Sequence, residues 1–104
     1  MKKSTYHVFF SNLSNPLRID IVSCLKEKDR SVSELVKELR VEQSKISHAL
    51  ASLRGCNIVS VKQKGKERIY SLNKTTIVPI LKLIDKHAHD FCTGECKFCK
   101  LNSK

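Results

Sequence analysis

Three cysteines close to the C-terminus, Cys92, Cys96 and Cys99, have the types and spacing of metal ligands. Thiolates combined with imidazole suit zinc, cadmium or copper(I), and an iron–sulfur cluster is a further reading. Asp85, His87 and His89 precede them. On a continuous helix, Asp85, His89, Cys92, Cys96 and Cys99 would lie within a sector of about 80° at 3.6 residues per turn. If the helix stops at Gly94, Cys96-Lys97-Phe98-Cys99 becomes a short knuckle able to fold back on Cys92 and His89. Either arrangement permits a site of three Cys and His89, within one subunit or across a dimer. Lys97 and Lys100 favour the thiolates and so raise their reactivity. A held metal, a structural clip, a reversible disulfide and an inert tail are the competing readings. Asp85 and His87 are secondary candidates, and His87 lies beside an apolar stripe where it reads equally as a packed interface residue. His7 and His48 are not expected to bind metal. Cys24 reads as a core residue and Cys56 as a partly buried filler.

The elements that must position these groups are few. The chain has 104 residues, with 20 Lys+Arg against 10 Asp+Glu and a net charge of +10. That length fits one small domain, divided here into residues 1–91 and a cysteine-rich tail, 92–104. An apolar share of 40% is too high for a disordered chain. No apolar run approaches the roughly 18 residues of a membrane span, and the basic start lacks the apolar stretch of a signal peptide. A cytoplasmic location and no membrane partner are therefore expected. The five cysteines then read as metal-binding or redox-active before they read as a disulfide framework. Cys92-x-x-x-Cys96-x-x-Cys99 is also the radical-SAM spacing, but that chemistry needs a large barrel. No Ser-His-Asp set, paired carboxylates or phosphate-binding Gly loop is visible, so an enzyme is not expected.

Tyr6, Phe9, Phe10 and Leu13 predict a first helix over 5–13. Asn15-Pro16 is a cap followed by a residue suited to the first helical position, and predicts a second helix to about Lys26 with Leu17, Ile21, Cys24 and Leu25 inward. Ser31-Val32-Ser33-Glu34 is a capping box opening a third helix to Leu39. A fourth, from Gln43 to Arg54, carries the inward stripe Ile46, Ala49, Leu50 and Leu53, with Gly55 as its cap. Two short helices joined by so tight a turn form a helix-turn-helix. Ile58–Val61 and Arg68–Leu72 read as strands around a lysine-bearing tip, Lys62 to Glu67. The fold class is thus mainly α with a small β-hairpin: a winged helix-turn-helix. A last helix from Thr75 or Thr76 carries Ile77, Ile80, Leu81, Ile84, Ala88 and Phe91, a stripe long enough to predict a dimer interface.

The outer face of the fourth helix presents Gln43, Ser44, Lys45, Ser47, His48 and Ser52, short or medium polar side chains that can read base edges in a major groove. The strongly basic balance points to an acidic polymer, with double-stranded DNA first. Lys62, Lys64, Lys66 and Arg68 suit the phosphate backbone or the minor groove.

At these residues the chain resembles the ArsR/SmtB-type winged-helix regulators. Asn15-Pro16-Leu17-Arg18-Ile19-Asp20-Ile21 resembles that family's helix start, D-P-T-R-L-R-I. Glu42-Gln43-Ser44-Lys45-Ile46-Ser47-His48-Ala49-Leu50 resembles its recognition helix, S-Q-S-T-V-S-H-H-L. Lys64-Gly65-Lys66-Glu67-Arg68-Ile69-Tyr70-Ser71-Leu72 resembles its wing, E-G-R-W-V-Y-Y-R-L. The resemblance implies a homodimer joined through the first and last helices, bound to operator DNA and released by ligand. There are departures. Glu42 stands where the family prefers a capping Ser. Residues 30–35 lack the thiolates of the family's third-helix site. Asp85-Lys86-His87 matches only the first half of its last-helix site, Phe98 and Leu101 occupying the other positions. The reading that results is a repressor responsive to a thiophilic metal or metalloid at Cys92, Cys96, Cys99 and His89. The alternatives are a thiol-redox response, or a DNA-binding protein with only a structural metal or no ligand.

Overall fold

The computed structural model describes residues 5–92. The elements are α1 (Thr5–Leu13), α2 (Pro16–Glu27), β1 (Arg30–Ser31), α3 (Val32–Leu39), α4 (Gln43–Gly55), β2 (Val59–Lys64), β3 (Glu67–Leu72) and α5 (Ile77–Phe91). The chain divides into two compact units between Asn73 and Lys74. Within the first, α2, α3 and α4 pack together around Ile21, Leu35, Ile46, Leu50 and Leu53, all essentially inaccessible to solvent. Burying one such side chain contributes about 1.5–3 kcal/mol.

Local chemistry starts the helices. The Asn15 side chain accepts from the amides of Leu17 and Arg18, at 2.9 and 3.2 Å, ahead of Pro16. The capping box at α3 is complete: Ser31 Oγ accepts from the Glu34 amide at 3.2 Å, and Glu34 Oε1 accepts from the Ser31 amide at 2.8 Å. That backbone bond holds the Glu34 carboxyl below its ordinary range. The bond therefore stabilises the fold above the ordinary Glu pKa, and its contribution fades as pH falls through the lowered value. Ser31→Ala is expected to cost about 1 kcal/mol in urea unfolding.

Several expectations are revised. The sheet has three strands, in the order β1-β3-β2, because Arg30 and Ser31 pair with Tyr70 and Ile69. The hairpin strands extend through Lys64 and from Glu67, so the predicted six-residue tip shrinks to Gly65-Lys66. Gly65 takes φ 64°, the positive value that a two-residue hairpin loop demands at its first position. Gly55 is the last residue of α4 and does not turn the chain; Asn57, at φ 58°, takes the left-handed conformation instead. The tight turn after α3 manages without glycine because Arg40 adopts φ 57° as its C-cap. Cys24 and Leu17 are half-buried rather than core.

Candidate nucleic-acid interface

The second helix of the helix-turn-helix is α4. Its apolar stripe, Ile46, Ala49, Leu50 and Leu53, is buried as expected. Gln43, Ser44, Lys45, Ser47 and His48 are all exposed. Glu42, just ahead of α4, makes no side-chain cap. Its carboxylate instead accepts a hydrogen bond from Ser44 Oγ at 3.0 Å, which orients both groups at the helix N-terminus.

Ser52 departs from the expected outer face. It is half-buried, and its hydroxyl accepts from Arg18 Nη2 at 3.1 Å. The Nη1 of Arg18 donates to the Asn12 carbonyl at 3.0 Å and to Asn12 Oδ1. Asn12 Nδ2 in turn reaches the Ser52 carbonyl at 3.4 Å. One part-buried polar cluster thus ties α1, α2 and α4. Sequence patterning missed it because the partners are far apart in the chain; the signal was Asn12, a polar residue amid the apolar positions of α1. Beside the cluster, between the start of α2 and the first two turns of α4, lies an open cavity of about 320 Å³ lined by the polar Asn15, Arg18, Ser44, Lys45 and His48 and by the apolar Leu17 and Ala49.

The wing basics are exposed, but the register divides them. Val59 and Val61 oppose Leu72 and Tyr70, and Gln63 opposes Arg68, all on the face that carries the core. Lys62 and Lys64 oppose Ile69 and Glu67 on the other face. Lys66 sits in the turn. Arg68 therefore lies on the opposite face from Lys62 and Lys64, and the wing does not present one continuous basic edge.

On α5, Asp85, His87 and His89 are exposed and Cys92 is the half-buried C-cap. Cys96 and Cys99 lie outside the described residues, and among the described residues no three His, Cys, Asp or Glu converge as a metal site. His89 Nδ1 lies 3.3 Å from Asp90 Oδ1, and Asp90 also accepts from Lys86 Nζ at 2.6 Å. These two contacts hold the Asp90 carboxyl below its ordinary range, Lys86 acting first. His87 packs its ring against Phe91, with centroids 5.0 Å apart. In α2, burial pushes the Cys24 thiol up despite the pull of Arg30, so it is a poor nucleophile. Cys56 is exposed rather than partly buried.

A helix-turn-helix followed by a two-stranded wing, with a polar outer face on its second helix, defines a winged helix-turn-helix DNA-binding protein. A family model for bacterial regulatory proteins of the arsR family matches residues 15–61, which span α2 to β2. The chain is 37% identical over 79 residues to the uncharacterized HTH-type transcriptional regulator Rv0081 of Mycobacterium tuberculosis, covering 75% of this chain and 69% of that protein. The crystal structure of Rv0081 matches with a TM-score of 0.75 at 32% identity, over 86% of this chain and 93% of that one. HlyU from Vibrio cholerae matches with a TM-score of 0.72 at 26% identity, over 88% and 99% of the two chains. The transcriptional repressor PagR of Bacillus anthracis is 31% identical over 74 residues, covering 70% of this chain and 74% of that protein. The chain belongs to the arsR family of bacterial regulatory proteins: it is a transcriptional regulator with a DNA-binding helix-turn-helix, and not an enzyme. Among the described residues no helix is long and apolar enough to cross a membrane.

Proposed function

We propose that the protein is a homodimeric repressor that reads operator DNA through α4 and senses a thiophilic metal through its C-terminal cysteines. The observation carrying the DNA reading is the division of α4 into a fully buried apolar stripe and an exposed polar face that carries no acidic residue after Glu42. Gln43, Ser47 and His48 contact base edges. Lys62, Lys64, Lys66 and Arg68 hold the backbone from the two faces of the wing. PagR and other relatives are named as repressors, which favours repression over activation. The dimer rests on apolar side chains left exposed on the two helices that would form its seam: Tyr6, Val8 and Phe10 on α1, and Leu83, Ile84 and Phe91 on α5. So large an exposed apolar surface marks an interaction site.

The sensing reading rests on donor chemistry. His89, in the last turn of α5, and Cys92, its C-cap, supply nitrogen and sulfur; Asp85, one turn before His89, is a secondary candidate. The Asp90 carboxylate lies against Nδ1 of His89, the kind of contact by which a carboxylate orients an imidazole that ligates through its other nitrogen. Three thiolates with one imidazole, Cys92, Cys96, Cys99 and His89, suit zinc, cadmium or copper(I) by donor type; the bound cation would supply charge and a cross-link after α5. The domain reading, 1–91 for DNA and dimer contacts and 92–104 for ligand, follows from this division of labour. The protein acts in the cytoplasm.

Replacing Cys92, Cys96 and Cys99 together by Ser is expected to abolish uptake of zinc, cadmium or copper(I), read by native mass spectrometry, and to leave DNA affinity unchanged. A triple-serine protein that still loses DNA on metal addition would overturn the sensing claim. A wild-type dimer that takes up no metal but loses DNA on oxidation assigns the same cysteines to a thiol switch.

A further inference from the structure

We infer that the cavity between α2 and α4 is a phosphate seat, occupied by a backbone phosphate of the bound DNA and built from Arg18, Lys45 and His48 around an uncharged Asn15. The inference rests on the DNA-binding reading and adds to it a site where the recognition face meets the start of α2. The cavity measures about 320 Å³ and opens beside the exposed flank of α4, where a phosphate flanking a groove-bound helix would lie. The amides at the start of α2 do not create the seat. Pro16 has none, those of Leu17 and Arg18 are taken by the Asn15 side chain, and that of Ile19 by the Asn15 carbonyl at 3.0 Å.

The charge comes from side chains. Every hydrogen-bond acceptor of the Arg18 guanidinium is neutral: the carbonyl and amide oxygens of Asn12 and the hydroxyl of Ser52. Among the described residues no carboxylate pairs with Arg18 or Lys45, and no acidic side chain lines the cavity. Arg30, by contrast, meets Glu27 and Glu38. Arg18 is thus a cation fixed in place by neutral partners, with Lys45 and His48 across the cavity from it. A fixed guanidinium without a counter-charge is preorganised for phosphate, since its orientation is settled before the ligand arrives. The cap itself fits this use. Asp caps a helix as well as Asn and gains from the helix dipole, so the neutral cap here adds no carboxylate to the seat beyond that of Glu42, which is held at its edge by Ser44. The assignment also moves Lys45 and His48 from base reading to the backbone, and leaves Gln43 and Ser47 as the readers of sequence.

The test is the salt dependence of binding to a short fluorescein-labelled duplex, measured by anisotropy. Asn15→Asp keeps the cap and places a carboxylate in the seat; Lys45→Ala removes a cation. Each is expected to weaken binding about tenfold at low salt and to lower the slope of log K against log salt by about 0.9, the loss of one phosphate contact. The double variant should lose no more slope than either single one, because both act on the same phosphate. Thermal unfolding is expected to show Asn15→Asp as stable as wild type, since Asp caps a helix as well as Asn. Wild-type slopes in both variants overturn the DNA assignment. Saturable amide shifts at Asn15, Arg18, Lys45 and His48 with inorganic phosphate would then assign the seat to a free phosphate, and their absence would end the site altogether. A wild-type protein that binds no duplex defeats the DNA-binding reading itself, an outcome distinct from these.

Discussion

Gln43→Ala combined with Ser47→Ala is expected to lower affinity for the selected operator about a hundredfold while leaving affinity for random duplex nearly unchanged. Gln43 opens α4, and Ser47 follows one turn later on its exposed surface. The N-terminal residues of a recognition helix are those that reach base edges. A bidentate Gln–adenine pair discriminates by about 1–3 kcal/mol, and a serine hydroxyl adds a smaller amount. Random duplex is held chiefly by charge, which neither substitution alters. The measurement is anisotropy on an operator drawn from a random library by the wild-type protein. Equal affinity and equal sequence preference in the variant would remove α4 from the reading of bases. Neither side chain touches the core, so a lost fold cannot imitate the expected result.

The second large effect concerns stability. Arg30→Ala is expected to cost about 2–3 kcal/mol, a sizeable part of the about 5–15 kcal/mol that holds a small domain together. Arg30 is 7% exposed, unusual for an arginine. Its Nε donates to the Cys24 carbonyl at 3.2 Å, and its two terminal nitrogens meet Glu38 at 3.2 Å and Glu27 at 3.0 Å. It therefore pins the C-terminal turn of α2 to α3, while its backbone pairs with Tyr70 of β3. The ion pairs contribute little of the loss. The side chains of Glu27 and Glu38 are 75% and 52% exposed, and both rehydrate when the arginine goes. The cost lies in the buried stem and in the hydrogen bond to Cys24. Arg30→Lys should recover only part of it, because an ammonium cannot serve three separated acceptors with the same fork. Urea unfolding of the two variants decides. A loss below about 0.5 kcal/mol for Arg30→Ala would show that the burial of this arginine is incidental.

How much of this was legible in the sequence follows the range of the interaction. The caps at Asn15 and Ser31 and the stripe of Ile46, Ala49, Leu50 and Leu53 were readable because each depends on neighbours within one or two turns. β1 was not. Two residues carry no periodicity, and Arg30-Ser31 becomes a strand only because β3 lies alongside. The wing was read too short because Lys62, Gln63 and Lys64 have weak strand preference, and cross-strand pairing with Glu67, Arg68 and Ile69 overrides it. Of the candidate interface, the exposed residues of α4 followed from subtracting its apolar stripe. The turned-in Ser52 and the cavity beside it did not, since both depend on Arg18, which is 34 residues away from Ser52. Asn57 took the role assigned to Gly55 because the chain reverses after Cys56 rather than at it.

The cluster of Asn12, Arg18 and Ser52 has a consequence for the geometry of the operator. It links α1 to α4 through α2 by hydrogen bonds that a relative turn of the two helices would break. In a dimer whose seam contains α1, the link fixes the reach from the twofold axis to each reading helix. Half-sites one turn of B-DNA apart, about 34–36 Å, must also face the same side of the duplex. In the proposed dimer the three side chains would act as a ruler for helical phase, setting how many base pairs separate the half-sites without touching a base.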